Sequence, residues 1–134
     1  MLNQFDDAHG LAPHTAPLGA VLIVEDDALL SMMMEQLVRE MGARQIVVAA
    51  NPAEAARALA DTRFDCAILD VLTRDGSTYA IADALSAKGT PFIFCSGVQA
   101  EELEERHRHR PLLGKPYRDS DLQVYLRNAL ATGG

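Results

Sequence analysis

The chain has 134 residues, enough for one domain with a substantial core. Apolar residues make up 49% and charged residues 23%, and the formal net charge of −7 argues against a nucleic-acid or anionic-membrane surface. No apolar run approaches the ~20 residues that span a bilayer, and the N-terminus has no basic region followed by an apolar block to mark a secretory signal.

Residues 1–18 carry Gly10, Pro13 and Pro17 with no clear period, and read as a flexible arm. The domain spans 19–131, with 132–134 as a tail. Ala20–Val24 is an apolar run that predicts a buried strand, and it leads directly into Glu25, Asp26 and Asp27. The next helix has Leu30, Met33, Met34, Leu37, Val38 and Met41 at intervals of three and four, an amphipathic stripe closed by Gly42. Leu29 and Met32 fall off that stripe. They are either ordinary exposed apolar residues or part of a partner-docking patch. Gln45–Val48 predicts a second strand, and Asn51-Pro52 an N-cap with proline at the first helical position, opening a helix to about Ala60.

Phe64–Asp70 predicts a third buried strand that ends on a carboxylate. Asp70 is either a turn or helix cap or a group placed for chemistry at the ligand-binding end of a parallel sheet. A loop from Leu72 to Gly76 leads to a helix over about 77–87, stopped by Gly89. Pro91–Ser96 is a fourth strand and ends on a hydroxyl. A weak helix is expected from Gln99 to about Arg108. Within Arg106-His107-Arg108-His109-Arg110 the alternating histidines lack metal-ligand spacing for a helix face, so the run reads as a solvated, charged segment. Pro111–Gly114 is a fifth strand before Lys115-Pro116, and Asp119–Ala131 a last helix. Cys66 and Cys95 both lie in apolar runs, so they read as buried free thiols in a reducing cytoplasm.

Strands alternate with helices five times, the pattern of an α/β domain with a parallel sheet covered on both faces. No GxGxxG or GxxxxGKT loop follows the first strand. The acids after strand one, Asp70, Ser96 and Lys115 all fall at strand C-termini, hence at one rim. Carboxylates crowded together raise one another's pKa unless a cation joins them. Oxygen-only donors suit Mg²⁺. A carboxylate can act as a nucleophile toward phosphorus, and a metal and a lysine can meet the charge on the phosphoryl oxygens. The bland alternative for Lys115 is a solvated surface amine.

The stretches Val21–Asp27, Ile68–Asp70, Cys95–Gly97 and Lys115-Pro116 resemble, in order and spacing, the receiver domain of two-component response regulators over about residues 19–131. The resemblance implies a flavodoxin-like, doubly wound five-stranded parallel sheet with strand order 2-1-3-4-5. It implies that Asp70 is the phosphoacceptor and Asp26 a direct Mg²⁺ ligand, with Glu25 acting through water and Leu72 offering its backbone carbonyl. Asp27 is then a helix N-terminal residue. Ser96 becomes the switch hydroxyl, Lys115 the phosphate-binding lysine, and the bond before Pro116 is cis. Two departures stand out. The loop after Asp70 is shorter than in many receivers, and Leu112 occupies the position of the usual aromatic switch residue. Pro91–Gly97 looks like the "FAT GUY" subgroup of single-domain regulators, with Cys95-Ser96 in place of Ala-Thr and Val98 ending the motif. That likeness implies a histidine kinase of the HWE or a related type.

The function so implied is a stand-alone, monomeric cytoplasmic response regulator. It is a phosphoacceptor with self-catalysed phosphotransfer and dephosphorylation only, not an enzyme in the usual sense. A sensor histidine kinase donates to Asp70. With no DNA-binding motif and no output domain expected after residue 131, the output is a contact with a downstream protein, or the chain is a phosphate sink. Leu29 and Met32 are the candidates for the kinase-facing patch. One rival is a haloacid-dehalogenase-like phosphatase, but Asp70-Val71-Leu72-Thr73 lacks the second Asp of D-x-D-x-T, the general acid. The other rival is a pseudo-receiver that binds partners without phosphorylation.

Overall fold

The computed structural model describes residues 17–132, so the expected arm lies, apart from Pro17 and Leu18, outside the described residues. Leu18 is buried in the core with Met41, inside the folded domain.

Five strands form a parallel sheet: β1 (Gly19–Val24), β2 (Ala43–Ala49), β3 (Cys66–Leu69), β6 (Phe92–Ser96) and β7 (Leu112–Gly114). Their order is β2-β1-β3-β6-β7, which is 2-1-3-4-5 when the core strands alone are counted. A two-stranded antiparallel hairpin, β4 (Leu72–Thr73) and β5 (Gly76–Ser77), lies between β3 and the next helix. The sequence places an irregular loop there.

Successive strand side chains point to opposite faces, and each face carries its own helices. Val21, Ile23, Cys66, Ile68, Ile93 and Cys95 pack against α1 (Ala28–Glu40) and α4 (Asp119–Ala131). Leu22, Val24, Ala67, Leu69, Phe92 and Phe94 pack against α2 (Pro52–Asp61) and α3 (Tyr79–Ala87). Burial on both faces is why these strands read as continuous apolar runs.

The helix ends have local causes. Asp27 caps α1 by accepting the Leu30 amide at 3.0 Å. Asn51 caps α2 by accepting the Glu54 amide at 2.9 Å, and the Glu54 carboxylate accepts the amide of Ala50, just before the cap, at 2.8 Å. Gly42, at φ +91°, takes the left-handed position after α1.

Three expectations need correction. Met33, placed on the apolar stripe, is 51% exposed; Ser31, Met34, Leu37 and Val38 form the buried face of α1. The helix expected over 99–108 does not form. Two 3-10 turns, Ala100–Glu102 and Glu105–His107, stand in its place, because the stretch has no apolar stripe and buries only Leu103 and His107. Finally, the solvated reading of residues 106–110 fails for His107, which is 3% exposed.

Candidate functional site

The parallel sheet brings four strand ends to one rim. Glu25 and Asp26 follow β1, Asp70 follows β3, Ser96 ends β6 and Lys115 follows β7. The main chain holds these ends in register. The Asp70 amide donates to Val24 O at 2.9 Å, the Glu25 amide to Ala49 O at 3.0 Å, and the Lys115 amide to Ser96 O at 3.0 Å.

At the centre is the Lys115 ammonium. Its Nζ donates to Glu25 Oε1 at 2.8 Å and to Asp70 Oδ2 at 3.1 Å. Glu25 and Asp70 are buried, and Glu25 Oε2 also accepts the Asp27 amide at 3.0 Å. Burial pushes the Glu25 carboxyl above its ordinary value, and the hydrogen bond from Lys115 offsets this only in part. Burial also works against the Lys115 ammonium, but its bonds to Glu25 and Asp70 outweigh that and hold its pKa above the usual lysine value. Three carboxylates, counting Asp26, share this pocket with one ammonium. The Lys115–Pro116 bond is cis.

Oxygens of Glu25, Asp26 and Asp70 all lie within 4.8 Å of one another. These are hard, anionic oxygen donors in excess of the local positive charge, the donor set that Mg²⁺ prefers, so the residues present fit such an ion.

Leu72 opens the hairpin, with its amide 3.4 Å from Asp70 Oδ1 and its side chain exposed. Ser96 is buried, and its Oγ accepts the Val98 amide at 3.5 Å, so its bond is to main chain. Leu29 and Met32 lie outside the pocket, 66% and 65% exposed on α1.

Two contacts escaped the sequence. Thr78, fully buried, donates its hydroxyl to Asp70 O at 2.6 Å and so ties down the backbone that carries Asp70. Its place just before α3 suggests an N-cap, yet it makes no side-chain cap. Arg74, at the hairpin turn, donates its amide to Asp26 Oδ2 at 2.8 Å. A bond across 48 residues leaves no local trace in a sequence.

A doubly wound sheet with an acid pocket and a lysine at its C-terminal rim defines the class of domain. The family model of the response regulator receiver domain matches residues 21–126, and the chain belongs to that family. Receivers are signalling domains whose partner is in general a histidine kinase. The chain is similar to SdrG from Sphingomonas melonis Fr1, with 32% identity and a TM-score of 0.74, covering 87% of this chain and 98% of that one. It is also similar to the REC domain of the Erythrobacter litoralis PhyR response regulator, with 32% identity and a TM-score of 0.72, covering 84% and 89% of the two chains. The response regulator PhyR from Brucella abortus shares the fold, with 24% identity and a TM-score of 0.76; 90% of this chain covers 51% of that one. No curated protein sequence matches. Among the described residues, no helix is long and apolar enough to cross a membrane.

Proposed function

We propose that this receiver accepts a phosphoryl group on Asp70 from the phosphohistidine of a sensor histidine kinase. The observation that carries the reading is the Lys115 ammonium, held 3.1 Å from Asp70 Oδ2 by its second bond to Glu25. A carboxylate oxygen of Asp70 attacks phosphorus and forms a P–O bond. The P–N bond breaks, its electron pair goes to the imidazole, and that nitrogen takes a proton from water. Lys115 meets the charge that gathers on the phosphoryl oxygens. Mg²⁺, held by Asp26, Asp70 and the Leu72 carbonyl with Glu25 acting through water, would supply further positive charge there. Thr78 keeps the Asp70 backbone from yielding during attack.

The product carries about two added negative charges at neutral pH. The Ser96 hydroxyl can leave its long bond to the Val98 amide for a phosphoryl oxygen. Since Ser96 O accepts the Lys115 amide, the ends of β6 and β7 are coupled in that response. The surface of β6, the 3-10 turns and β7 then changes population and engages a downstream protein, or the phosphoryl group is simply drained from the kinase. The likeness of Pro91–Gly97 to the "FAT GUY" subgroup supports a donor of the HWE type.

Treatment with acetyl phosphate and Mg²⁺ should add one phosphoryl group by intact-mass spectrometry, and Asp70→Asn should abolish it. Beryllofluoride with Mg²⁺ should shift the amide resonances of residues 70–72 and 96–98. An unmodified wild-type protein with unmoved resonances would instead establish a pseudo-receiver that only binds partners.

A further inference from the structure

The β4–β5 hairpin leans its turn against the acid pocket. Its two pairs, Leu72 with Ser77 and Thr73 with Gly76, leave Arg74 and Asp75 as the turn. The Thr73 hydroxyl donates to Gly76 O at 2.8 Å, and Gly76 has φ +132°, which other residues rarely adopt. Thr78 anchors the base of the hairpin to Asp70 O. The turn is therefore fixed relative to the pocket.

Arg74 meets Asp26 twice. Its main-chain amide donates to Oδ2 at 2.8 Å, and its guanidinium Nε stands 3.8 Å from the same oxygen. The amide contact is independent of side-chain identity; the guanidinium contact is a charge on a tether, 86% exposed. Lys115 bonds to Glu25 and Asp70. Arg74 is the cation that meets the third carboxylate.

We propose that Arg74, carried onto Asp26 by the hairpin, is a built-in cation that competes with Mg²⁺ for the acid pocket and so sets the Mg²⁺ concentration at which Asp70 becomes receptive. The proposal rests on the phosphoacceptor reading for its role, but not for its measurement. A divalent ion taking Asp26 must displace the guanidinium or sit beside a like charge. The competition is electrostatic. It is sensitive to salt, because the guanidinium is exposed and screened. An exposed charge at this distance changes divalent-ion affinity by about threefold to tenfold at low ionic strength.

The test is a Mg²⁺ titration of the ¹⁵N-labelled protein, following amides of residues 70–74, for wild type, Arg74→Ala, Arg74→Gln and Arg74→Lys at low and high salt. All three variants keep the main-chain amide, so Asp26 stays oriented. Neutral variants should bind Mg²⁺ about threefold to tenfold more tightly, Arg74→Lys should stay near wild type, and the gap should shrink at high salt. Equal or weaker binding in both neutral variants, a gap indifferent to salt, or no binding in any sample overturns the proposal. Acetyl phosphate labelling of the same samples separates the two claims. If Asp70 takes no phosphoryl group in any of them, the phosphoacceptor reading falls while the Mg²⁺ affinities still decide the competition.

Discussion

His107 lies flat on Tyr79, with ring centroids 5.7 Å apart and planes 7° from parallel. The same imidazole stands edge-on to Phe94 of β6 at 5.9 Å. Its Nε2 lies 2.8 Å from Asp83 Oδ1, while its Nδ1 is buried without a partner. Arg106 makes a two-pronged contact with the Asp83 carboxylate, both distances 2.9 Å, and the Tyr79 hydroxyl accepts the Glu104 amide at 3.2 Å. This clamp ties the 3-10 turns to α3. It also puts aromatic rings beside Phe94 in a receiver whose usual aromatic position holds Leu112.

The clamp separates by double-mutant cycle. The Arg106–Asp83 pair is half-exposed, so solvent screens it and it contributes little. Stranding the buried Nε2 costs about 1–3 kcal/mol, so Asp83→Ala should destabilise the domain by about 2 kcal/mol in urea unfolding. His107→Phe keeps the stack and removes both ring nitrogens, one already unpaired. It should lie within about 1 kcal/mol of wild type, and Asp83→Ala should cost less in that background. Equal costs in both backgrounds would show that His107 does not draw on Asp83.

The clamp also has a pH signature. The Arg106 guanidinium, with a smaller contribution from His107, holds the Asp83 carboxyl down to about 2 against an ordinary 3.8. A depressed carboxyl contributes stability that is complete above its unfolded value and is lost as pH falls through its folded value. Amide exchange in residues 100–110 should therefore accelerate, relative to intrinsic rates, as pH falls from about 4 to about 2. In Asp83→Asn that step should vanish.

Asp70→Asn probes the charge excess of the pocket. Removing one of three clustered carboxylates relieves repulsion, and it leaves Lys115 paired with Glu25. Without divalent ions the variant should be more stable than wild type by about 1 kcal/mol. Added Mg²⁺ should raise the Tm of wild type by mass action and raise that of the variant less. A variant less stable than wild type without Mg²⁺ would show that Lys115 already neutralises the cluster.

Much of this site can be read from the chain because its members sit at strand ends. Each of Asp70, Ser96 and Lys115 closes or follows an apolar run, and alternation with helices implies that these ends share one rim. The N-cap Asn51 is equally legible, since capping is local chemistry within three residues; Asp27, expected only as a helix N-terminal residue, is the cap of α1. What stays hidden depends on distant partners. His107 is buried by contacts with Tyr79 and Asp83, more than twenty residues away, inside a run whose charge pattern suggests solvent. Arg74 meets Asp26 only because a hairpin forms, and two-residue strands carry no period. Met33 sits at helical spacing from Leu37, yet the α1 face turns slightly further toward Ser31 and Met34.

The two cysteines should be inert in the folded protein. Burial pushes the Cys66 thiol up to about 12 and the Cys95 thiol up to about 11, so the thiolate is scarce at neutral pH. Iodoacetamide should modify both in denaturant and neither in the native protein on the same timescale. Native labelling should accelerate in destabilised variants such as Asp83→Ala, because reaction then waits on opening. Rapid labelling of native wild type would contradict the packing of β3 and β6.

Leu29 and Met32 form an apolar patch on α1, 66% and 65% exposed, and Met33 extends it at 51%. Met33 also lines a groove of about 450 Å³ with Leu30, Met34, Pro116, Tyr117 and Leu122. Lys115 borders the same groove, so a partner seated on the patch reaches the rim that carries Asp70. If the kinase docks there, charge in the patch should block docking and leave the chemistry intact. Leu29→Glu with Met32→Glu should change stability by less than about 0.5 kcal/mol, since neither side chain is buried. Labelling by acetyl phosphate should match wild type. Transfer from whichever kinase labels wild type, in a panel of purified histidine kinases, should fall about tenfold or more, as for an interface anchor. Equal transfer rates would remove α1 from the docking surface; loss of acetyl phosphate labelling as well would place the defect in the pocket.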